Sequence, residues 1–306
     1  MIPTRDRPTD LLRCLQALTA QTSPPREIIV VDNGENDASR GICDRFHVTR
    51  IYSQELLSKL FNVGWKAASG NIIAYLNDDS EPAPNWVERI SNTFRGWPDA
   101  MAVGGPTIDT TPRKLETLYH TRPLGISIAF ALYERVLLRA SFQSVGKIGR
   151  TGAYSVGTWM PSSLQAGTRV VDHLTITNVA FKRSILEEMG GFDENFWYNH
   201  IDGDFFRRLR LNGYTQVFDP SIVVSHHVAS SGPTRNSYGI SRDSTYFFLK
   251  DFAPSSLDDF LSMILQLAFL NGFWIYSAIT DKTLKPLRGL QGFFRGVCDA
   301  LLNRGY

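Results

Sequence analysis

Carboxylates stand where the apolar runs of this chain stop. Residues 72–76 read Ile-Ile-Ala-Tyr-Leu, and Asn77, Asp78 and Asp79 follow at once. Residues 28–31, Ile-Ile-Val-Val, end in Asp32. Asp202 and Asp204, in Ile-Asp-Gly-Asp, lead into a helical pattern, and His226-His227 follow Ile-Val-Val-Ser. Open α/β sheets hold their ligands at the C-terminal ends of strands. Oxygen donors there suit a hard divalent cation that holds a diphosphate. A carboxylate at Asp32 can accept a hydrogen bond from a base N–H or a ribose hydroxyl, and Asp202 can act as a general base. An imidazole beside a carboxylate can complete a metal shell. Neighbouring strand residues face opposite ways, so only one of the two histidines can point into such a site. The loop at residues 2–8, Ile-Pro-Thr-Arg-Asp-Arg-Pro, can lay its backbone against a planar base. Each feature also has a plainer reading. Acidic residues at strand ends cap the next helix, and a single histidine there is commonly structural.

The elements that must carry these residues can be read from periodicity. Asp10 is expected to cap a helix striped by Leu11, Leu12, Leu15 and Leu18. Residues 28–31 and 72–76 read as buried strands, residues 47–53 as a short edge strand, and residues 62–70 as turn, helix and turn. Asn85 opens a helix with Trp86, Val87 and Ile90, and residues 100–106 give another strand. Residues 112–140 are helical, whereas 141–170 are rich in Gly and Ser and weakly periodic. A loop of that length is usually functional or mobile. A strand over Ile-Thr-Asn-Val-Ala-Phe, a helix at 183–191, a helix after Asp202 stopped by Gly213, and a strand pair over 215–227 complete the series. Helices alternating with short buried runs indicate an α/β fold. The domain reading is a catalytic unit over residues 1–242 and a helical appendage over 243–306.

Composition narrows the function. The chain has 306 residues, 43% hydrophobic and 20% charged, with 32 basic and 30 acidic residues. That balance gives no signal for nucleic acid. Cys14, Cys43 and Cys298 match neither a zinc spacing nor a disulfide framework, which favours a reducing compartment. The first residues lack the apolar core of a signal peptide. From Phe260 to Ile279 twenty positions pass without a charge, and ~20 apolar residues cross a bilayer. Gln266 and Asn271 dilute the run, and Lys282, Lys285, Arg288 and Arg295 follow it. A helix lying on the membrane, a single span and an ordinary buried helix all fit.

Taken in order, the motifs resemble the family 2 glycosyltransferases of the GT-A fold, over residues 1 to about 231. The set is Ile-Pro-Thr-Arg-Asp-Arg-Pro, Ile-Ile-Val-Val-Asp-Asn-Gly, Asn-Val-Gly, the Asn-Asp-Asp variant of the DXD motif, Thr-Asn-Val-Ala-Phe-Lys-Arg, Gly-Gly-Phe-Asp-Glu, Ile-Asp-Gly-Asp and Val-Val-Ser-His-His-Val-Ala-Ser-Ser. The resemblance implies a Rossmann-like, mixed and mostly parallel sheet flanked by helices, and an inverting transfer from a nucleotide-sugar donor. It implies that Pro3, Thr4 and Arg5 line the base pocket and that Asp32 holds the base or ribose. Asn62, Asn77 and Asp78 fall on the nucleotide-sugar side. Asp79 and His226 would hold a divalent metal, Mn²⁺ or Mg²⁺. Asp202 is the expected base, with Ile201 where the family usually has Glu. Asn178, Gly191, Phe192 and Asp204 fall on the acceptor side, Gly190 bordering the same loop. The acceptor expected is a glycan or a lipid-linked molecule, met by a protein held peripherally at the cytoplasmic face of a membrane. Transfer to a polyprenyl phosphate and an inactive sugar- or membrane-binding module are the rival readings. A nucleotidyltransferase would want a Gly-rich loop with Arg and Lys near the N-terminus, which residues 2–8 lack.

Overall fold

The computed structural model describes residues 1–35, 37–111, 114–121, 124–227, 236–252 and 254–302. In chain order the elements are β1 (Ile2–Thr4), α1 (Pro8–Thr19), β2 (Ile29–Asp32), α2 (Arg40–Arg45), β3 (Thr49–Tyr52), α3 (Leu57–Ala67) and β4 (Ile72–Leu76). Then come β5 (Ser80–Pro82), α4 (Trp86–Gly96), β6 (Ala100–Gly104), β7 (Thr107–Asp109), α5 (Lys114–Thr121), α6 (Leu124–Leu132), β8 (Arg169–Val170), β9 (Asn178–Lys182) and α7 (Arg183–Glu188). The chain ends with α8 (Ile201–Leu211), β10 (Thr215–Phe218), β11 (Val224–His226), α9 (Ser237–Asp251), α10 (Leu257–Thr280) and α11 (Arg288–Leu302).

β1, β2 and β3 form a parallel sheet with β3 at its edge. β1 continues it into β4, since the Met1 amine donates to Ala74 O at 2.8 Å and Leu76 N donates to Met1 O at 3.1 Å. Beyond β4 the order is β9, β6, β10, β8. The sheet is mixed, as expected, but its parallel majority is confined to the N-terminal half. β9 runs antiparallel to both β4 and β6, and only β6 and β10 pair in parallel there. A small second sheet, β5-β11-β7, stands at the strand ends. It carries His226 opposite both Ser80 and Asp109.

Strand side chains alternate between faces, and the two cores follow. Ile73, Tyr75, Val179 and Phe181 meet α3, α8 and α9 on one face, while Leu76 and Ala180 meet α1 and α4 on the other. Tyr75, Phe181, Phe192 and Phe205 contact one another at ring separations of 4.9–6.1 Å, mostly edge to face. Such a pair contributes ~0.5–1.5 kcal/mol beyond its buried area. α1 begins at Pro8, with Asp10 in its first turn rather than as its cap. Proline suits that first position because its missing N–H would have no partner there anyway. Within the 62–70 segment, residues 62–67 are the second half of the continuous helix α3, and 68–70 follow its end.

The boundary expected after residue 242 falls inside α9. Tyr246, Phe247, Phe248 and Phe252 of that segment belong to the main core. α11 lies close along α9: a Cβ added at Gly292 would come within 2.1 Å of Tyr238 O, and one at Gly296 within 2.5 Å of Arg242 O. α10 has two apolar faces. Leu265, Phe269, Phe273 and Tyr276 pack on a third core built around Phe130 and Phe142. Leu257, Leu261, Ile264, Ile275 and Ile279 are exposed on the other face. By length and composition α10 can cross a membrane.

Candidate active site

β4 stops at Leu76 because the chain turns there, Ser80 N donating back to Asn77 O at 3.2 Å. The turn lifts Asp78 and Asp79 to the rim of the sheet, where both are buried. Thr4 Oγ1, at the end of β1, donates to Asp78 Oδ2 at 2.8 Å. Arg7, just before α1, reaches Asp78 Oδ1 at 3.0 Å and Asp79 Oδ2 at 3.5 Å. On the other side, His226 Nε2 lies 3.2 Å from Asp79 Oδ1, and its Nδ1 lies 2.7 Å from Asp109 Oδ1. His227 turns the opposite way and meets Glu81 at 3.1 Å.

Burial pushes the Asp78 carboxyl up to about 6, Arg7 opposing and Asp79 adding to the effect. For His226 burial works downward. The hydrogen bonds to Asp109 and Asp79 outweigh it, and the imidazole rises to about 9. One arginine and one histidine thus flank three carboxylates at a strand-end rim. Among the described residues no three His, Cys, Asp or Glu side chains form a ready metal cage. Asp79 and His226 are the two side chains at this rim that could serve together as metal donors. Asp109 on Nδ1 orients the ring so that Nε2 faces Asp79, the arrangement in which metal-binding histidines are commonly held.

Asp202 opens α8. Its Oδ2 accepts from Ile176 N at 3.0 Å and its Oδ1 from Gly203 N at 2.9 Å. Burial raises its pKa, and those two N–H groups pull against the rise. The loop carrying Ile176 is tied to the Asp78–Asp79 turn, because Asn77 Nδ2 donates to Thr177 Oγ1 at 3.2 Å. Three consecutive residues of α9 hold the approach to Asp202. Arg242 donates to Asn195 O at 2.6 Å. Asp243 accepts from the N–H groups of Trp197, Tyr198 and Asn199 at 3.1, 2.7 and 2.9 Å. Ser244 Oγ lies 2.9 Å from His200 Nε2.

Thr4, Asn77, Asp78, Asp79, His226 and Asp202 therefore sit at the strand-end rim or are tied to it. Others lie elsewhere. Asp204, expected on the acceptor side, is fully buried and engaged by Arg208 and Lys250; on a helix it faces away from Asp202, two positions earlier. Asn62 is not turned to a nucleotide. Its Oδ1 accepts from Phe192 N and its Nδ2 donates to Phe192 O, each at 2.9 Å, latching the 190–194 loop onto α3. Phe192 is a core side chain. Gly191, at φ +76°, lets the chain turn beside Asn62. Asn178 is fully buried, donating to Pro106 O and Ile222 O and accepting from Trp86 Nε1. Pro3 is buried within β1, and Arg5 is exposed and paired with Glu35. The carboxylate of Asp32 already accepts from Gly34 N, Ser39 Oγ and Arg50. Residues 228–231 of the last motif lie outside the described residues. Arg7 and Asp109 were missed by sequence reasoning. Arg7 lies in a motif already singled out, and Asp109 is another acid at the end of a short strand.

The family model described as glycosyl transferase family 2 matches residues 1–190. An N-acetylglucosaminyl-diphospho-decaprenol L-rhamnosyltransferase of Mycobacterium tuberculosis is 26% identical over 263 residues, 79% of this chain and 80% of that protein. Glycosyltransferase AglE of Haloferax volcanii is 33% identical over 106 residues, 31% of this chain and 34% of its own. Among solved structures, the mannosyltransferase PcManGT from Pyrobaculum calidifontis, in complex with GDP-Man and Mn²⁺, superposes with a TM-score of 0.55 at 15% identity. The match covers 99% of this chain and 86% of that one. S. aureus TarS 1–349 gives a TM-score of 0.55 at 14% identity, covering 97% and 79%. At these identities the structural likeness speaks for the fold.

The raised pKa of His226 has a stability consequence. A base with a higher pKa in the folded state contributes stability that is full below its unfolded value and lost as pH rises through the folded one. The window runs from 6.5 to about 9. In metal-free buffer, the melting temperature of the wild type should exceed that of His226→Gln at low pH. The gap should shrink across that window, as thermal melts at a series of pH values will read. A gap that is constant or widens with pH would contradict the charged Asp109–His226–Asp79 arrangement.

Proposed function

The chain belongs to glycosyl transferase family 2, and we propose that it catalyses an inverting, divalent-metal-dependent transfer of a sugar from a nucleotide-sugar donor to a lipid-linked or glycan acceptor. The observation that carries this reading is the rim itself. Asp79 and His226 stand on one side and Asp202 on the other, joined through Asn77, Thr177 and Ile176. The fold likeness to a mannosyltransferase solved with GDP-Man and Mn²⁺ supports a donor and an ion of those classes.

Asp79 and His226 are the residues that would hold Mn²⁺ or Mg²⁺, and a carboxylate oxygen with an imidazole nitrogen suits Mn²⁺ better than Mg²⁺, which takes oxygen ligands. The ion, when bound, supplies positive charge against the departing diphosphate. Arg7 adds a fixed cation at the same rim. Thr4 and Arg7 keep Asp78 turned inward, which leaves Asp79 as the carboxylate directed toward His226. Asp202, deprotonated and fixed by Ile176 N and Gly203 N, takes the proton of the acceptor hydroxyl as that oxygen attacks the anomeric carbon. Attack opposite the leaving group inverts that carbon. Asp32, with Arg50 and Ser39, shapes the base side of the pocket from behind.

The acceptor is read from α10. Its outer stripe of Leu257, Leu261, Ile264, Ile275 and Ile279 is exposed, and the basic residues 282, 285 and 288 follow it. Such a helix lies favourably in the interface of a membrane. Its inner stripe on the third core favours attachment at the cytoplasmic face over a crossing. The M. tuberculosis relative is named for a lipid diphosphate acceptor, which fits the same placement.

Three outcomes are expected. Asp79→Ala should lower turnover at least ~10²-fold and remove metal-dependent nucleotide binding; wild-type turnover of that variant in the presence of chelator would sink the metal reading. Asp202→Asn should bind donor normally and lose ~10²–10⁴-fold in transfer, as product assays with saturating donor will measure. Membranes carrying the protein should release it on washing at high pH. Retention after the wash would mean a span, and protein found wholly in the soluble fraction before any wash would exclude membrane attachment.

A further inference from the structure

The long Gly- and Ser-rich loop between α6 and β8 sends one side chain into the first turn of α8. Tyr154 places its hydroxyl 3.2 Å from His200 Nδ1. Its ring stacks on the His200 ring at 5.1 Å and 19°, the His200 ring stacks on Phe247 at 4.6 Å and 12°, and Tyr154 and Phe247 stand 5.8 Å from each other. The Tyr154 backbone is itself fixed: its N–H donates to the Tyr133 hydroxyl at 2.8 Å, and that hydroxyl donates to Tyr154 O at 2.9 Å.

Two features of α8 show what this placement demands. Gly203 sits between the two aspartates of Ile-Asp-Gly-Asp, and a Cβ added there would lie 1.5 Å from the Tyr154 hydroxyl oxygen. No real Cβ makes such an approach, so the tyrosine occupies the space that any other residue would need. His200 holds φ at +55°. That left-handed backbone is costly for a residue with a side chain and persists only where the surroundings impose it. The surroundings here are the rings of Tyr154 and Phe247, the Tyr154 hydroxyl on Nδ1 and Ser244 on Nε2. Burial lowers the imidazole's pKa to about 3, so the ring is neutral. A neutral imidazole donates from one nitrogen and accepts at the other, and two hydroxyls satisfy both.

We propose that Tyr154 is a positioning residue for the transfer reaction, holding the first turn of α8, and with it Asp202, by seating its hydroxyl between Gly203 and His200. The proposal rests on the reading of Asp202 as the base. Asp202 lies two residues after His200 and one before Gly203, so a small rotation of that turn moves its carboxylate off Ile176 N. A misplacement of ~1 Å at a reacting group can cost ~10²-fold in rate. The donor rim of Thr4, Arg7, Asp79 and His226 shares no residue with this contact.

The test is a double-mutant cycle on the full chain with Tyr154→Phe and Gly203→Ala. Phe keeps the ring and its stacking and removes only the hydroxyl. Tyr154→Phe should lower kcat about tenfold with donor KM unchanged while its thermal melt shows the chain fully folded at the assay temperature, so that the loss is not one of folded enzyme. Gly203→Ala should cost about a hundredfold, because the methyl displaces the hydroxyl. In the double variant the oxygen at 1.5 Å is gone and only the ring carbon at 2.9 Å remains against the methyl, so the double variant should recover most of the loss of Gly203→Ala, a non-additivity expected of residues in contact. Wild-type kcat in Tyr154→Phe, or additive losses in the double variant, would overturn the proposal. If Gly203→Ala fails to fold, recovery of a cooperative melt in the double variant supports it. If the double variant fails to fold as well, kcat of Tyr154→Phe decides: a tenfold loss at unchanged donor KM supports the role, and wild-type kcat rejects it. Asp202→Asn is assayed alongside. Unimpaired transfer there would reject the base itself, whereas an inactive Asp202→Asn with a fully active Tyr154→Phe rejects only the role of Tyr154.

Discussion

A carboxylate buried away from water is tolerated only when its lone pairs are filled. Asp243 meets that demand with the backbone of one short segment, taking the N–H groups of residues 197–199, and with the guanidinium of Arg242 beside it. The same guanidinium meets Asp299 of α11 at 2.6 Å and donates to Asn195 O. Removing one partner from such a set leaves a charge stranded, which typically costs ~3–5 kcal/mol. Everything between the Gly-Gly-Phe turn and Asp202 takes its path from this anchor. The left-handed turn at His200, the start of α8 and the direction of the Asp202 carboxylate all follow from where α9 holds the preceding residues.

The rim at the ends of β1 and β4 is arranged on a different principle. There the charges are close, partly buried and of mixed sign, with Arg7 and His226 on opposite sides of the Asp78–Asp79 turn. Groups already fixed in place need no reorganisation when charge develops on a leaving group, and this is usually the largest share of catalysis. Asp78 serves the arrangement from beneath. Its two oxygens are taken by Thr4 and Arg7, so it ties β1 to β4 and leaves Asp79 as the outward member of the pair.

The α/β alternation, the strand-end positions of Asp78 and Asp79 and the helix after Asp202 were legible in the sequence, because buried strands and helix starts leave local signals. The partners of polar side chains leave none. Asn62 and Asn178 both lie in motifs that mark the donor and acceptor regions, yet each spends its amide on backbone groups more than forty residues away. Those contacts exist only once α3, β9 and the loops have packed. Asp204 was assigned with Asp202 on proximity in sequence, but a spacing of two on a helix sends the pair in different directions, and Lys250 claims the second. Arg7 and Asp109 escaped notice for the same reason: their importance comes from β1 lying beside β4 and β7 lying beside β11. The antiparallel course of β9 was equally invisible, since a buried strand reads alike in either direction.

The anchoring of residues 195–200 by residues 242–244, and of Arg242 by Asp299, has a bearing on how the chain is made. A ribosome delivers β1 to β4 first, and these can pair as they emerge, whereas β6 waits for β9 and β5 for β11. The segment leading to Asp202 has no partner for its N–H groups until α9 has left the exit tunnel, and Arg242 lacks Asp299 until α11 follows. Until α9 docks, Phe192, Phe196 and Phe205 face a core whose α9 wall is missing. Contacts this distant in sequence form late and leave apolar surface open to wrong associations meanwhile. The nascent chain is therefore most vulnerable to aggregation between the emergence of its first strands and the docking of α9 and α11, while the site they anchor is still unassembled.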